Sequence, residues 1–152
     1  MIENITTSSY NEIFNQLYNI TEGKIILSGS LGLKMQNIIE RDVNDLDVNI
    51  LHLDWLTYKN QLEKSFRIYP GIQIRHGELE YDVYTCFDKK TKLNEFHLFV
   101  NYGSNIYVLK DNIRILAPKF HLLDKEIIMK HGDNPDKHLE DITLIKSYLN
   151  EN

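Results

Sequence analysis

Apolar residues along this chain recur at two spacings, and the switches between them mark the elements. Ile13, Phe14, Leu17 and Ile20 fall at helical spacing. They predict an amphipathic helix over about 9–21, closed by Gly23. The β-branched run Lys24-Ile25-Ile26-Leu27-Ser28 predicts a buried strand. A helix follows from Ser30 to Ile39, with Leu31, Met35 and Ile38 facing inward. Over about 44–51, Leu46, Val48 and Ile50 alternate with Asp45, Asp47 and Asn49, the period-2 pattern of a strand. Asp54 is placed to cap a helix from Trp55 to Phe66. Tyr69-Pro70-Gly71 reads as a turn. Strands are then predicted over Ile72–Arg75 and Glu78–Phe87, joined in a tight hairpin at His76-Gly77. Shorter strands are predicted over Phe96–Asn101, Ile106–Leu109 and Ile113–Leu116. Pro118 opens a helix over about 119–131, with Phe120, Leu123 and Ile127 aligned. After a break at 132–135, a last helix runs over about 136–149 with Leu139, Ile142, Ile145 and Leu149 on one face. This order is α+β, not the regular alternation of a parallel sheet.

Composition narrows the class without naming a chemistry. A chain of 152 residues suits one domain, spanning 1–152, with a real core. Its formal net charge of -5 argues against a protein that coats bulk DNA, which needs a broad basic surface. A single cysteine, Cys86, leaves no internal disulfide framework. No apolar run is long enough to cross a bilayer, and residues 1–10 lack a basic-then-apolar leader pattern. The expectation is a cytoplasmic protein. Ala117 is the only alanine, while Asn, Ile, Lys and Tyr abound, as in AT-rich coding of phages or low-GC bacteria. The six histidines show no metal-ligand spacing.

Candidate chemistry concentrates between residues 29 and 47. The Gly29-Ser30 turn follows a strand and opens a helix. Glycine lets the backbone approach a phosphate, and Ser30 adds a hydroxyl. Asp45 and Asp47 share one strand face and repel each other unless a cation lies between them. Hard carboxylate oxygens suit Mg²⁺, which in turn binds nucleotide phosphates. A third carboxylate is expected on a neighbouring strand. Asp82, within Tyr81-Asp82-Val83-Tyr84, is the first candidate and Glu80 the second. Arg41 and Lys34 are candidates for phosphate contact or for plain surface roles. Lys137 and Lys119 share that ambiguity, Lys137 having Asp141 at i+4 as an alternative partner.

The strand, Gly-Ser turn, helix and Asp-apolar-Asp strand together resemble the nucleotidyltransferase superfamily (DNA polymerase β-like). Within it the chain looks most like the small AbiEii toxin-like and minimal nucleotidyltransferases. Arg41 stands four residues before Asp45, as is frequent there, and Lys137-His138-Leu139-Glu140-Asp141 partly matches a late Lys-Asp motif, with His138 in place of Asp. The resemblance implies a minimal nucleotidyltransferase fold, a short mixed sheet flanked by helices. It implies an Mg²⁺-dependent transfer of a nucleoside monophosphate from an NTP, ATP among them, to a hydroxyl of protein or RNA. Asp45, Asp47 and Asp82 would be catalytic and metal-binding; Gly29, Ser30, Arg41 and Lys137 would bind the nucleotide. A phage or toxin–antitoxin setting fits that resemblance. The rival expectation is a catalytically inactive module of the same fold with a binding or structural role, as in a phage particle.

Overall fold

The computed structural model describes residues 8–43, 46–66, 68–76, 79–86, 93–99, 104–131 and 135–151. In chain order the elements are α1 (Ser8–Ile20), β1 (Ile26–Ser28), α2 (Gly29–Met35), β2 (Leu46–Leu51), α3 (His52–Ser65), β3 (Ile68–His76), β4 (Leu79–Cys86), β5 (Leu93–Phe99), a short 3-10 turn (Ser104–Ile106), β6 (Tyr107–Lys110), β7 (Ile113–Leu116), α4 (Pro118–His131) and α5 (Pro135–Glu151). The seven strands among the described residues form one sheet in the order β3-β4-β5-β2-β1-β7-β6. β1 runs antiparallel to β2 and parallel to β7, while β2 runs parallel to β5. The sheet is therefore mixed and flanked by helices, the α+β arrangement that the sequence predicts.

Alternation along the central strands divides the core. Leu27, Val48 and Ile50 pack with Phe14 and Leu17 of α1 and Trp55, Tyr58 and Leu62 of α3. Ile26, one residue along from Leu27, instead joins Leu116 and Phe120. Each such side chain taken fully out of water contributes about 1.5–3 kcal/mol, so these contacts fix the helices on the sheet. A third cluster of Leu33, Ile38, Ile39 and Ile145 ties α2 and the segment after it to α5. Among the described residues, no helix is long and apolar enough to cross a membrane.

Four expectations change. The helix opened at Gly29-Ser30 stops at Met35, because Asn37 adopts a left-handed φ of 61° and Ile38 N–H closes back on Leu33 O at 3.0 Å. Asp54 does not cap α3, which begins at His52; it lies in the first turn and pairs with Arg114 at 3.3 Å. Tyr69-Pro70-Gly71 is not a turn but part of β3, where the pairing with β4 shifts register between Pro70 and Gln73. β3 is an edge strand, and an edge tolerates a residue without an N–H. Leu139 and Leu149 lie outside the buried stripe of α5, Leu139 being 54% exposed; that stripe runs through Asp141, Ile142 and Ile145.

Candidate active site

β1 passes into α2 with no intervening loop, and Gly29 makes the junction. Its φ of +61° is a left-handed conformation that favours glycine. The register pairs Ser28 with Asp47, so the junction lies against the start of β2. A Cβ on Gly29 would sit 2.9 Å from Asp47 Cγ, where no side chain fits. Gly29 thus serves both the turn and the close approach of the Asp47 carboxylate. Behind it, Ser28 Oγ donates to Asn49 Oδ1 at 2.6 Å, within the sheet interior.

Ser30 stands next to that junction and is the centre of a charged cluster. Arg41 Nη2 donates to Ser30 Oγ at 2.9 Å and to Asp141 Oδ2 at 2.6 Å. Lys125 Nζ lies 3.4 Å from Ser30 Oγ and 3.1 Å from Asp141 Oδ2. Four segments therefore meet here: α2, the segment after it, α4 and α5. Lys125 is 4% exposed and Asp141 1%, so the pair is deep, whereas Arg41 at 29% reaches the surface. Arginine and lysine only donate, so Ser30 Oγ accepts from both. The hydroxyl proton of Ser30 is then left to point at something else.

His121 lies one helical turn before Lys125 and fills the space beside Gly32, where a Cβ would lie 3.0 Å from its Nε2. The ring is fully buried, and neither nitrogen makes a well-directed hydrogen bond among the described residues. Burial first, and then the Lys125 ammonium, push its pKa down to about 3, against a weaker upward pull from backbone at Leu116, Gly29 and Ala117. The folded protein holds this imidazole neutral. The unfolded chain protonates it near its ordinary value of 6.5. His121 therefore contributes stability that is full above that pH and is lost as pH falls towards about 3. Between pH 6.5 and about pH 5 the wild type should lose stability on the order of 1–2 kcal/mol through this residue. Urea unfolding at the two pH values checks it, and His121→Gln should flatten the dependence.

The structure brings Gly29, Ser30, Arg41 and Asp47 to one locality. Asp45 lies outside the described residues. Lys137 lies on α5, but its side chain is outside the described set. Lys34 pairs with exposed Asp42 at 3.8 Å, a surface contact of small energetic effect. Lys119 is exposed and lies 5.8 Å from the Phe120 ring centroid. Asp82 and Glu80 are on β4, which β5 separates from β2, so neither is on the strand neighbouring Asp47. Two strand spacings alone amount to about 9–10 Å. The reason is the β3–β4 hairpin, which the chain inserts before returning to pair β5 with β2. On β5, the pairing with β2 shifts register between Leu46 and Val48, whose partners are Leu93 and Phe96, so Asn94 and Glu95 both fall opposite Asp47. Side chains on β4 and β5 lie outside the described set. Among the described residues no group of three His, Cys, Asp or Glu residues converges as a metal site.

No sequence motif points to Lys125. Its signal was phase: it recurs at helical spacing with His121 on the buried face of α4, as Asp141 does with Ile145 on α5. A charge in an apolar phase needs a partner, and here each supplies the other's.

The fold matches solved structures of other proteins. The Megavirus polyadenylate synthase superposes with a TM-score of 0.55 at 13% identity, over 90% of this chain and 30% of that one. A Thermotoga maritima protein described as a candidate nucleotidyltransferase gives 0.52 at 11% identity, over 97% of this chain and 96% of that one. The chain thus spans under a third of the viral enzyme and nearly all of the bacterial protein. No family model and no curated relative matches the sequence. At these identities the likeness is one of fold: the chain shares the fold of these two structures.

Proposed function

We infer that this protein is an Mg²⁺-dependent nucleotidyltransferase that moves a nucleoside monophosphate from an NTP to a hydroxyl of protein or RNA. The observation that carries the reading is the cluster of Ser30, Arg41 and Lys125 beside the Gly29–Asp47 contact. Cations and a spare hydroxyl proton suit a polyphosphate; an adjacent carboxylate suits the metal that accompanies it. Asp47 offers hard oxygen at the mouth of the junction, and Asp45, two residues before it, is its sequence-based companion. These residues would hold Mg²⁺, which would supply charge neutralisation and polarisation of the α-phosphate.

The chain's own residues do the rest. Ser30 donates its hydroxyl proton to a phosphate oxygen, while Arg41 and Lys125 offset the polyphosphate charge. The acceptor oxygen bonds to the α-phosphorus, the bond to the bridging oxygen breaks, and pyrophosphate leaves. A third carboxylate takes the acceptor's proton. Strand order favours Glu95 for that role over the sequence-based candidates Asp82 and Glu80, because β5 flanks β2 and β4 does not. Lys137, near the start of α5, remains the sequence-based candidate for a further phosphate contact. A cytoplasmic setting is the expectation from the sequence pattern, and an AbiEii-like, phage or toxin–antitoxin context rests on the sequence resemblance.

The rival is a non-catalytic module. A scaffold gains little from burying Lys125 and Asp141, since a well-packed apolar pair is often as stable or more so. Incubating the protein with each α-labelled NTP, Mg²⁺ and a cell lysate should label protein or RNA, and chelation should stop it. Glu95→Gln should abolish labelling where Asp82→Asn does not. No label with any NTP would move the reading to the non-catalytic module.

A further inference from the structure

The cations around Ser30 are held by an anion that the protein supplies itself. Asp141 Oδ2 lies 2.6 Å from Arg41 Nη2 and 3.1 Å from Lys125 Nζ. The same two donors reach Ser30 Oγ. One carboxylate oxygen therefore presents to both cations what a phosphate oxygen would present, a charged acceptor. It offsets one of the two positive charges before any ligand arrives.

The three charged groups differ in their freedom to move. Lys125 and Asp141 are deeply buried and carried on helices α4 and α5. Arg41 is partly exposed and is carried on the irregular segment between α2 and β2. Its Nε is buried and meets no partner among the described residues, so its present contacts do not use up its donors. Arg41 is the member able to change partner.

We propose that Asp141 is an internal competitor for polyphosphate: it holds Arg41 in the ligand-free protein, and Arg41 exchanges Asp141 for a phosphate oxygen on binding. The proposal rests on the reading of this locality as a polyphosphate site. The exchange keeps affinity below what Ser30, Arg41 and Lys125 would give without Asp141. It also gives Arg41 a partner to return to as pyrophosphate leaves. Arginine keeps its charge at any working pH, so loss of the Asp141 charge releases at least that cation to the ligand.

The test is calorimetric titration of the full chain with inorganic pyrophosphate and Mg²⁺, comparing wild type with Asp141→Asn. The variant should bind about tenfold tighter or more, the scale of one close charge removed from a partly buried site. Unchanged or weaker binding by a folded variant would overturn the proposal. Asparagine leaves Lys125 buried without its anion and can prevent folding, so a second measurement uses the wild type alone. In its crystal structure with pyrophosphate, the Arg41–Asp141 contact should open beyond hydrogen-bond reach. An intact contact beside bound pyrophosphate would equally overturn it. A wild type that binds no pyrophosphate would overturn the polyphosphate site and the exchange together. Binding by the wild type without tightening in the variant defeats the exchange alone.

Discussion

Asp47→Asn should reduce nucleotidyl transfer about a hundred- to a thousandfold, the scale of losing one preorganised electrostatic group. The substitution keeps the shape of the side chain, so its fit against Gly29 is preserved. What changes is charge and ligand character. An amide oxygen is a weaker partner for a hard dication than a carboxylate, and any metal held there loses its anchor. Label transfer from NTP measures the loss, and thermal unfolding confirms that the protein remains folded. Full activity in a folded Asp47→Asn variant would remove this residue from the site.

Lys125→Met should destabilise the protein and weaken NTP binding together. Orphaning a buried charge costs about 3–5 kcal/mol, and Arg41 remains on Asp141, so the lower end applies. For a chain of this size that lowers Tm by about 6–12 °C. The double change Lys125→Met with Asp141→Leu separates the two roles. Removing both charges should restore much of the stability, because the Asp141 carboxylate is then not left buried without Lys125. It should not restore NTP affinity, because the cation is gone. A double variant that regained both would reduce Lys125 to a counter-ion for Asp141.

The two roles of Lys125 also mark where the sequence was legible. Gly29, Ser30 and Asp47 could be read because strand, turn, helix and strand are local and announced by period. Alternation through Leu46, Val48 and Ile50 placed Asp47 on the face opposite that core, and β2 shows the same alternation. Pro118 and the Gly132–Pro135 break likewise announced the starts of α4 and α5. The Arg41–Asp141–Lys125 contacts were not legible, because they depend on how α4 and α5 pack against α2. No local pattern fixes that packing. The strand order was hidden for a similar reason. Tyr81-Asp82-Val83-Tyr84 has the right motif, but the hairpin carrying it joins the sheet beyond β5. Leu139 and Leu149 were misplaced because helical spacing admits neighbouring stripes, and Asp141 did not look like a member of the buried one.

The most direct measurement is a crystal structure of the protein with Mg²⁺ and a non-hydrolysable ATP analogue. The triphosphate should lie within hydrogen-bond reach of Ser30 Oγ, Arg41 and Lys125, with the metal on Asp47. A nucleotide bound elsewhere, or none bound at saturating analogue and Mg²⁺, would contradict an NTP-dependent transferase at this junction.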